Sequence, residues 1–127
     1  MSEMIDPESK HLHICTLLDF YGSLLNDKQR EMMTLFYYED LSLFEISQIK
    51  GVSRQAVNSG VHRAVLKLEE FDRELNLVEI FSRNEVLKAR LEDAIARSSW
   101  PEVEQVLSEW QEVEEPGKAD RALSPAE

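Results

Sequence analysis

Cysteine is almost absent from this chain of 127 residues, and several kinds of protein are excluded with it. The lone Cys15 rules out an intrachain disulfide and fits a reducing compartment. No apolar run approaches the roughly 20 residues that span a bilayer, and the polar start MSEMIDPESK has the character of neither a signal peptide nor a transit sequence. A cytoplasmic protein with no membrane insertion is expected. There is no Gly-rich phosphate loop, no nucleophile elbow and no metal-binding constellation of carboxylates. The glutamates are spread over helix faces, where carboxylates are ordinarily just solvated, so neither an enzyme nor a cofactor is expected. His11, His13 and Cys15 do not restore a metal site. His11 and Cys15 can share a helix face, but His13 points elsewhere and no CxxC or second histidine pair completes four ligands. Cys15 reads instead as a small buried hydrophobe. No internal repeat is detectable.

Positive charge is the other shortage. Lys and Arg number 14 against 25 Asp and Glu, a net charge of −11, whereas a DNA-binding protein is expected to carry a basic footprint. The acid is unevenly placed: residues 1–25 carry a net −3, residues 26–75 a net −2 and residues 76–127 a net −6. The centre of the chain is nearly neutral and its C-terminal part acidic, which argues against tight, independent DNA binding.

What is present is helical periodicity. Apolar residues make up 43% of the chain and recur at helical spacing rather than alternating, so an all-α protein is expected. After a loose polar start over residues 1–9, a first amphipathic helix runs from Lys10 to Tyr21, with Leu12, Ile14, Cys15, Leu17, Leu18 and Tyr21 on its apolar side. Gly22 and Ser23 end it. Asn26 and Gln29 form a capping box, Asp27 suits the positive end of the helix dipole, and a second helix should reach about Tyr38. Met32, Met33, Leu35, Phe36 and Tyr37 make that helix broadly apolar, hence central, and read as core filling rather than a ligand site.

The chain is organised around LSLFEISQIKGVSRQAVNSGVHRAVLKL, from Leu41 to Leu68. Ser42 and Glu45 form a second capping box, Gly51 accepts the left-handed angle of a turn, and Ser53 caps the next helix. Ile46, Val52, Val57 and Val61 are spaced to meet in one apolar centre beneath that turn, the layout of a helix-turn-helix. The second helix of the motif continues well past it. Val57, Val61, Ala64, Leu68, Phe71 and Leu75, followed by Val78, step by four and three as a heptad seam. That seam packs either on the chain's own C-terminal helices or on another subunit as a homodimer. A further helix from Leu77 to Arg97 carries Ile80, Leu87, Leu91 and Ala94 or Ile95, and Ser98-Ser99-Trp100-Pro101 turns into a last one with Val103, Val106 or Leu107, Trp110 and Val113. Trp100 and Trp110 are expected to anchor it on the body. The domain plan is a helix-turn-helix domain over 10–75, an acidic helical extension over 76–113 and a disordered tail over 114–127.

LSLFEISQIKGVSRQAV resembles the helix-turn-helix of bacterial sigma-factor region 4. With LLNDKQREMMTLFYYED before it and a long charged helix after it, residues 10 to 100 most resemble the YlxM/p13 family of small bacterial proteins. The resemblance implies a sigma region 4-like fold and a DNA-binding role, linked through genetic neighbourhood to the signal recognition particle. Two positions depart from the pattern. Lys50 stands where such motifs place a bulky apolar residue, so Ile49 is expected to fill the space, and Gly60 costs about 1 kcal/mol against alanine inside a helix.

In such a motif the first turns of the second helix enter the major groove. Ser53, Arg54, Gln55, Asn58 and Ser59 lie there; Arg54 is suited to guanine, and Gln55 or Asn58 to adenine. His62, Arg63 and Lys67 follow, within reach of backbone phosphates. The expected function is a non-catalytic DNA-binding or regulatory protein of the signal recognition particle pathway, with DNA, or that particle's protein or RNA, as partner. The alternatives are a sequence-specific transcription regulator and a protein-interaction module that binds no nucleic acid.

Overall fold

The two capping boxes set the frame. Asn26 Oδ1 accepts the Gln29 N–H at 2.8 Å and Gln29 Oε1 accepts the Asn26 N–H at 3.3 Å. Ser42 Oγ likewise accepts the Glu45 N–H at 3.0 Å while Glu45 Oε1 accepts that of Ser42 at 2.8 Å. A computed structural model describes residues 7–114, and these form six helices and no strand. They are α1 (Pro7–Tyr21), α2 (Asp27–Met33), α3 (Leu43–Lys50), α4 (Arg54–Leu75), α5 (Leu77–Ala96) and α6 (Trp100–Glu114). A 3-10 turn, Gly22–Leu24, joins α1 to α2. The helix expected to reach Tyr38 does so as a π turn over Thr34–Tyr38, where the Glu39 N–H reaches back five residues to the Thr34 carbonyl at 3.0 Å. The wider turn lets three consecutive large side chains, Leu35, Phe36 and Tyr37, all pack against the core. The expected loose start and disordered tail fall mostly on residues 1–6 and 115–127, outside the described residues; residues 7–9 form the first turn of α1.

Contacts divide the chain into one unit that ends at Val78 and a second that begins at Glu79. The first is built on α4. Val57, Val61, Ala64 and Leu68 are buried against Ile14, Leu17, Leu18 and Tyr21 of α1, with Leu25, Met33 and Ile46 completing the core. Each large aliphatic side chain so buried contributes about 1.5–3 kcal/mol. Those four positions of the seam are thus buried inside the unit, against α1, α2 and α3. Phe71 is half-buried on the same core, and Leu75 lies exposed at the end of the seam. Leu12, expected on the apolar side of α1, is 66% exposed, because the stripe that meets α4 is Ile14, Leu17, Leu18 and Tyr21. Two residues at 100° each put Leu12 on the far side of the helix from Ile14. Cys15 is half-buried with its thiol 3.9 Å from the Tyr37 carbonyl; burial, then the Asp19 charge, push that thiol up from its ordinary pKa.

In the second unit Leu87 and Ala94 of α5 and Val106 of α6 are buried. Arg90 meets Glu109 at 2.8 Å, and Arg97 meets both Asp93, at 2.9 Å, and Glu102, at 2.7 Å, across the turn. Trp110 is half-buried, while Trp100 is 60% exposed, since it opens α6 at a turn and not along its packed stripe. Among the described residues no helix is long and apolar enough to cross a membrane, and no group of three His, Cys, Asp or Glu is placed to hold a metal.

Candidate nucleic-acid interface

The turn of the motif is fixed by backbone hydrogen bonds. Gly51 takes a φ of 70°, and both its N–H and that of Val52 donate to the Ser47 carbonyl, at 2.9 and 3.2 Å. Ser53 Oγ then accepts the Ala56 N–H at 3.0 Å, which starts α4. Ile46, Val57 and Val61 meet beneath this turn as expected, but Val52 is 45% exposed. The left-handed residue reverses the chain just before it and turns its side chain outward. The space at Lys50 is filled by Lys50 itself, whose stem is largely covered and whose Nζ lies 2.6 Å from Glu31 Oε1. Ile49, expected to take that place, is 59% exposed.

The outward side of α4 follows from its buried side. With Val57, Val61, Ala64 and Leu68 turned inward, a period of 100° per residue puts Gln55, Ser59, His62 and Leu66 on the opposite stripe. Arg54 and Asn58 lie on the flank toward α3, Arg63 and Lys67 on the flank toward α2. Ser53, Arg54, Gln55, Asn58, His62, Arg63 and Lys67 are exposed and Ser59 is half-buried, so all eight candidate residues reach one surface about 20 Å long. The Ser53 hydroxyl is already engaged as the cap. Leu66, 52% exposed, interrupts the polar ridge after the third turn, and Glu69 and Glu70 close it beyond Lys67.

Each flank carries a groove. One, of 570 Å³, lies between the starts of α3 and α4 and is lined by Ser42, Leu43, Phe44, Arg54, Gln55 and Asn58. The other, of 280 Å³, is lined by Asn26, Lys28, Gln29, Met32, Ala56, Gly60 and Arg63. Gly60 explains itself here: a Cβ would stand 2.7 Å from Met32 Sδ, so the bare backbone lets α4 approach α2. Leu43, Phe44, Lys28 and Ala56 are the groove residues that the sequence alone does not single out. The Ser42 cap places Phe44 one residue into α3, two ahead of buried Ile46, and so held a usable signal. Lys28 joins Arg63 only through the crossing of two helices, which no local pattern reveals.

Charge on this surface is available. Arg54, Arg63, Lys67 and Lys28 make no ion pair among the described residues, whereas Arg30 is held by Asp27 at 2.9 Å and Lys50 by Glu31. The arrangement can insert a rigid, capped helix end bearing amide and guanidinium donors into a groove of nucleic acid, with cations left for phosphate.

Comparison with known proteins agrees with this geometry. Residues 8–108 match the family model UPF0122, described as "Putative helix-turn-helix protein, YlxM / p13 like". A UPF0122 protein of Shouchella clausii is 46% identical over 87 residues, which is 68% of this chain and 80% of that protein. One of Thermoanaerobacter sp. is 39% identical over 102 residues, 77% and 87% of the two chains, and one of Bacillus cereus is 45% identical over 80 residues, 63% and 73%. The chain belongs to the UPF0122 family of YlxM / p13-like helix-turn-helix proteins.

Proposed function

We propose that this chain is a non-catalytic accessory protein that lays the start of α4 in the major groove of duplex DNA, and that it does so in the signal recognition particle pathway. The observation that carries the first part is the free polar ridge: Arg54, Gln55 and Asn58 stand exposed on a capped helix end. Two hydrogen bonds from Arg54 to guanine, or from Gln55 or Asn58 to adenine, would each contribute about 1–3 kcal/mol of discrimination. The pathway follows from the family resemblance alone. The deep, narrow major groove of A-form RNA does not admit a recognition helix, so duplex DNA is the better fit for α4. A homodimer belongs to this reading, since two copies would present two ridges about 34 Å apart on successive turns of DNA. It would form on a surface other than the α4 seam, which each protomer uses for its own core.

Selection from a pool of random duplexes tests the DNA part. A preferred site should emerge, and Arg54→Ala should relax the preference about 10- to 100-fold at one base pair. Co-purification from lysate with the particle's GTPase or RNA tests the pathway separately.

A second reading has its own observation. Phe44, Ile49, Val52 and Leu66 are all exposed around the motif on a protein of net charge −11. That combination suits a module that binds protein through this surface. Such a module ignores duplex DNA, and its partner is captured equally well by the Arg54→Ala variant.

A further inference from the structure

A helix of about 10–12 Å diameter fills a major groove about 12 Å wide, so an inserted α4 meets a phosphate backbone on each flank. The two flanks are not alike. The α3 flank offers one cation, Arg54, beside the exposed ring of Phe44. On the α2 flank, Lys28 from the first turn of α2 and Arg63 from the third turn of α4 line one groove of 280 Å³. Met32, Ala56 and Gly60 line it as well, and the missing side chain at Gly60 lets α4 approach Met32 of α2 there. No carboxylate lines this groove. The nearest in sequence, Asp27, is held by Arg30, and the Asn26 and Gln29 side-chain oxygens are spent on the capping box. Neither Lys28 nor Arg63 has an ion-pair partner among the described residues, so both are available to an external anion.

We propose that Lys28 and Arg63 form a subsite for the phosphates of one DNA backbone strand, in the groove between α2 and α4. The proposal rests on α4 being the helix that enters the duplex, and it assigns the salt-dependent part of binding to the α2 side. Arg63 supplies a planar donor fork and Lys28 a point charge from a second helix, so the pair fixes the register of α4 along the groove.

The test is the salt dependence of binding to a mixed-sequence duplex of about 20 base pairs, followed by fluorescence anisotropy from about 50 to 200 mM salt. Each phosphate contact contributes about 0.9 to the slope of log affinity against log salt. Lys28→Ala and Arg63→Ala should each flatten the slope by about 0.9, and the double variant by about 1.8. Lys28→Arg should keep the wild-type slope, as should Lys88→Ala, which removes a cation from the second unit. Both subsite residues are exposed, so the variants should keep the wild-type circular dichroism. A wild-type slope for Lys28→Ala, in a protein whose binding still weakens on Arg54→Ala, overturns the subsite and leaves groove insertion standing. A wild-type protein that binds no duplex at about 50 mM salt overturns both.

Discussion

Tyr21 is fully buried, and its hydroxyl donates to Asp72 Oδ1 at 2.6 Å, tying the end of α1 to the end of α4. The same oxygen accepts the Leu77 N–H at 2.9 Å. That N–H needs a partner because Asn76, at a φ of 55°, closes α4 and leaves Leu77 as the first residue of a new helix. Tyr21→Phe removes both bonds with little change of shape. It should cost about 1–3 kcal/mol, read from the urea midpoint, and should speed hydrogen exchange at the Leu77 amide.

Alkali should act through the same hydroxyl. Burial, then the hydrogen bond to Asp72, raise the Tyr21 pKa above the ordinary phenol value. The neutral phenol is therefore favoured by folding, and its contribution is fully present below the unfolded pKa of about 10. It is lost as pH climbs from there through the raised folded value. The thermal midpoint of the wild type should fall more steeply above about pH 10 than that of Tyr21→Phe. Tyr37 and Tyr38 are raised in the same direction, so the variant should keep part of the decline.

Local signals in the sequence translated faithfully. The Asn26 and Ser42 boxes, the left-handed Gly51 and the Ser53 cap all stand where their side-chain chemistry puts them, because each depends on residues within four positions. What failed was assignment of partners. The steps of four and three along α4 picked out Val57, Val61, Ala64 and Leu68, which are buried, together with half-buried Phe71 and exposed Leu75, but not what they pack against. Helix α1 is a partner across a gap of about 50 residues, as Tyr21 and Asp72 show. Val52, Ile49 and Trp100 look like core by composition yet sit beside turns, where the backbone rather than hydrophobicity decides direction. The exposed polar ridge on α4 was legible because it is the complement of a buried stripe. The Lys28–Arg63 groove was not, because it belongs to two helices at once.

Leu68→Glu separates the two uses of the seam. Leu68 is fully buried within its own unit, so the variant loses an aliphatic contact and must place a carboxylate in the core. A cost above about 4 kcal/mol is expected, with loss of helical circular dichroism, and not a folded monomer released from a dimer. Leu75→Glu, at the exposed end of the seam, should stay within about 0.5 kcal/mol of wild type. Light scattering on a folded Leu68→Glu monomer would contradict the packing of α4 on α1.

Lys50→Leu should be neutral or stabilising by up to about 1 kcal/mol. The Lys50–Glu31 pair has a Glu31 side chain 58% exposed to water, which places it among ion pairs contributing about 0.2–1 kcal/mol. The Lys50 side chain itself is only 21% exposed, so a leucine would find an apolar stem position already largely covered. Glu31 stays solvated once its partner is gone. Urea midpoints at low and high salt check this: the wild type should lose stability as salt screens the pair, and the variant should lose less.

Gly60 decides between helix propensity and close packing. Alanine at an interior helical position gains about 1 kcal/mol over glycine, but here its Cβ would meet Met32 Sδ at 2.7 Å. The obstacle is the end of a flexible, half-buried side chain, so the repacking cost should be near the low end of the 1–3 kcal/mol typical of overpacking. The two effects nearly cancel, and Gly60→Ala should lie within about 0.5 kcal/mol of wild type. In a Met32→Ala background the obstacle is gone, and the same substitution should stabilise by about 1 kcal/mol. The difference is the coupling energy of a double-mutant cycle. If Gly60→Ala gained that much in both backgrounds, α2 and α4 would cross less closely than the groove between Lys28 and Arg63 requires.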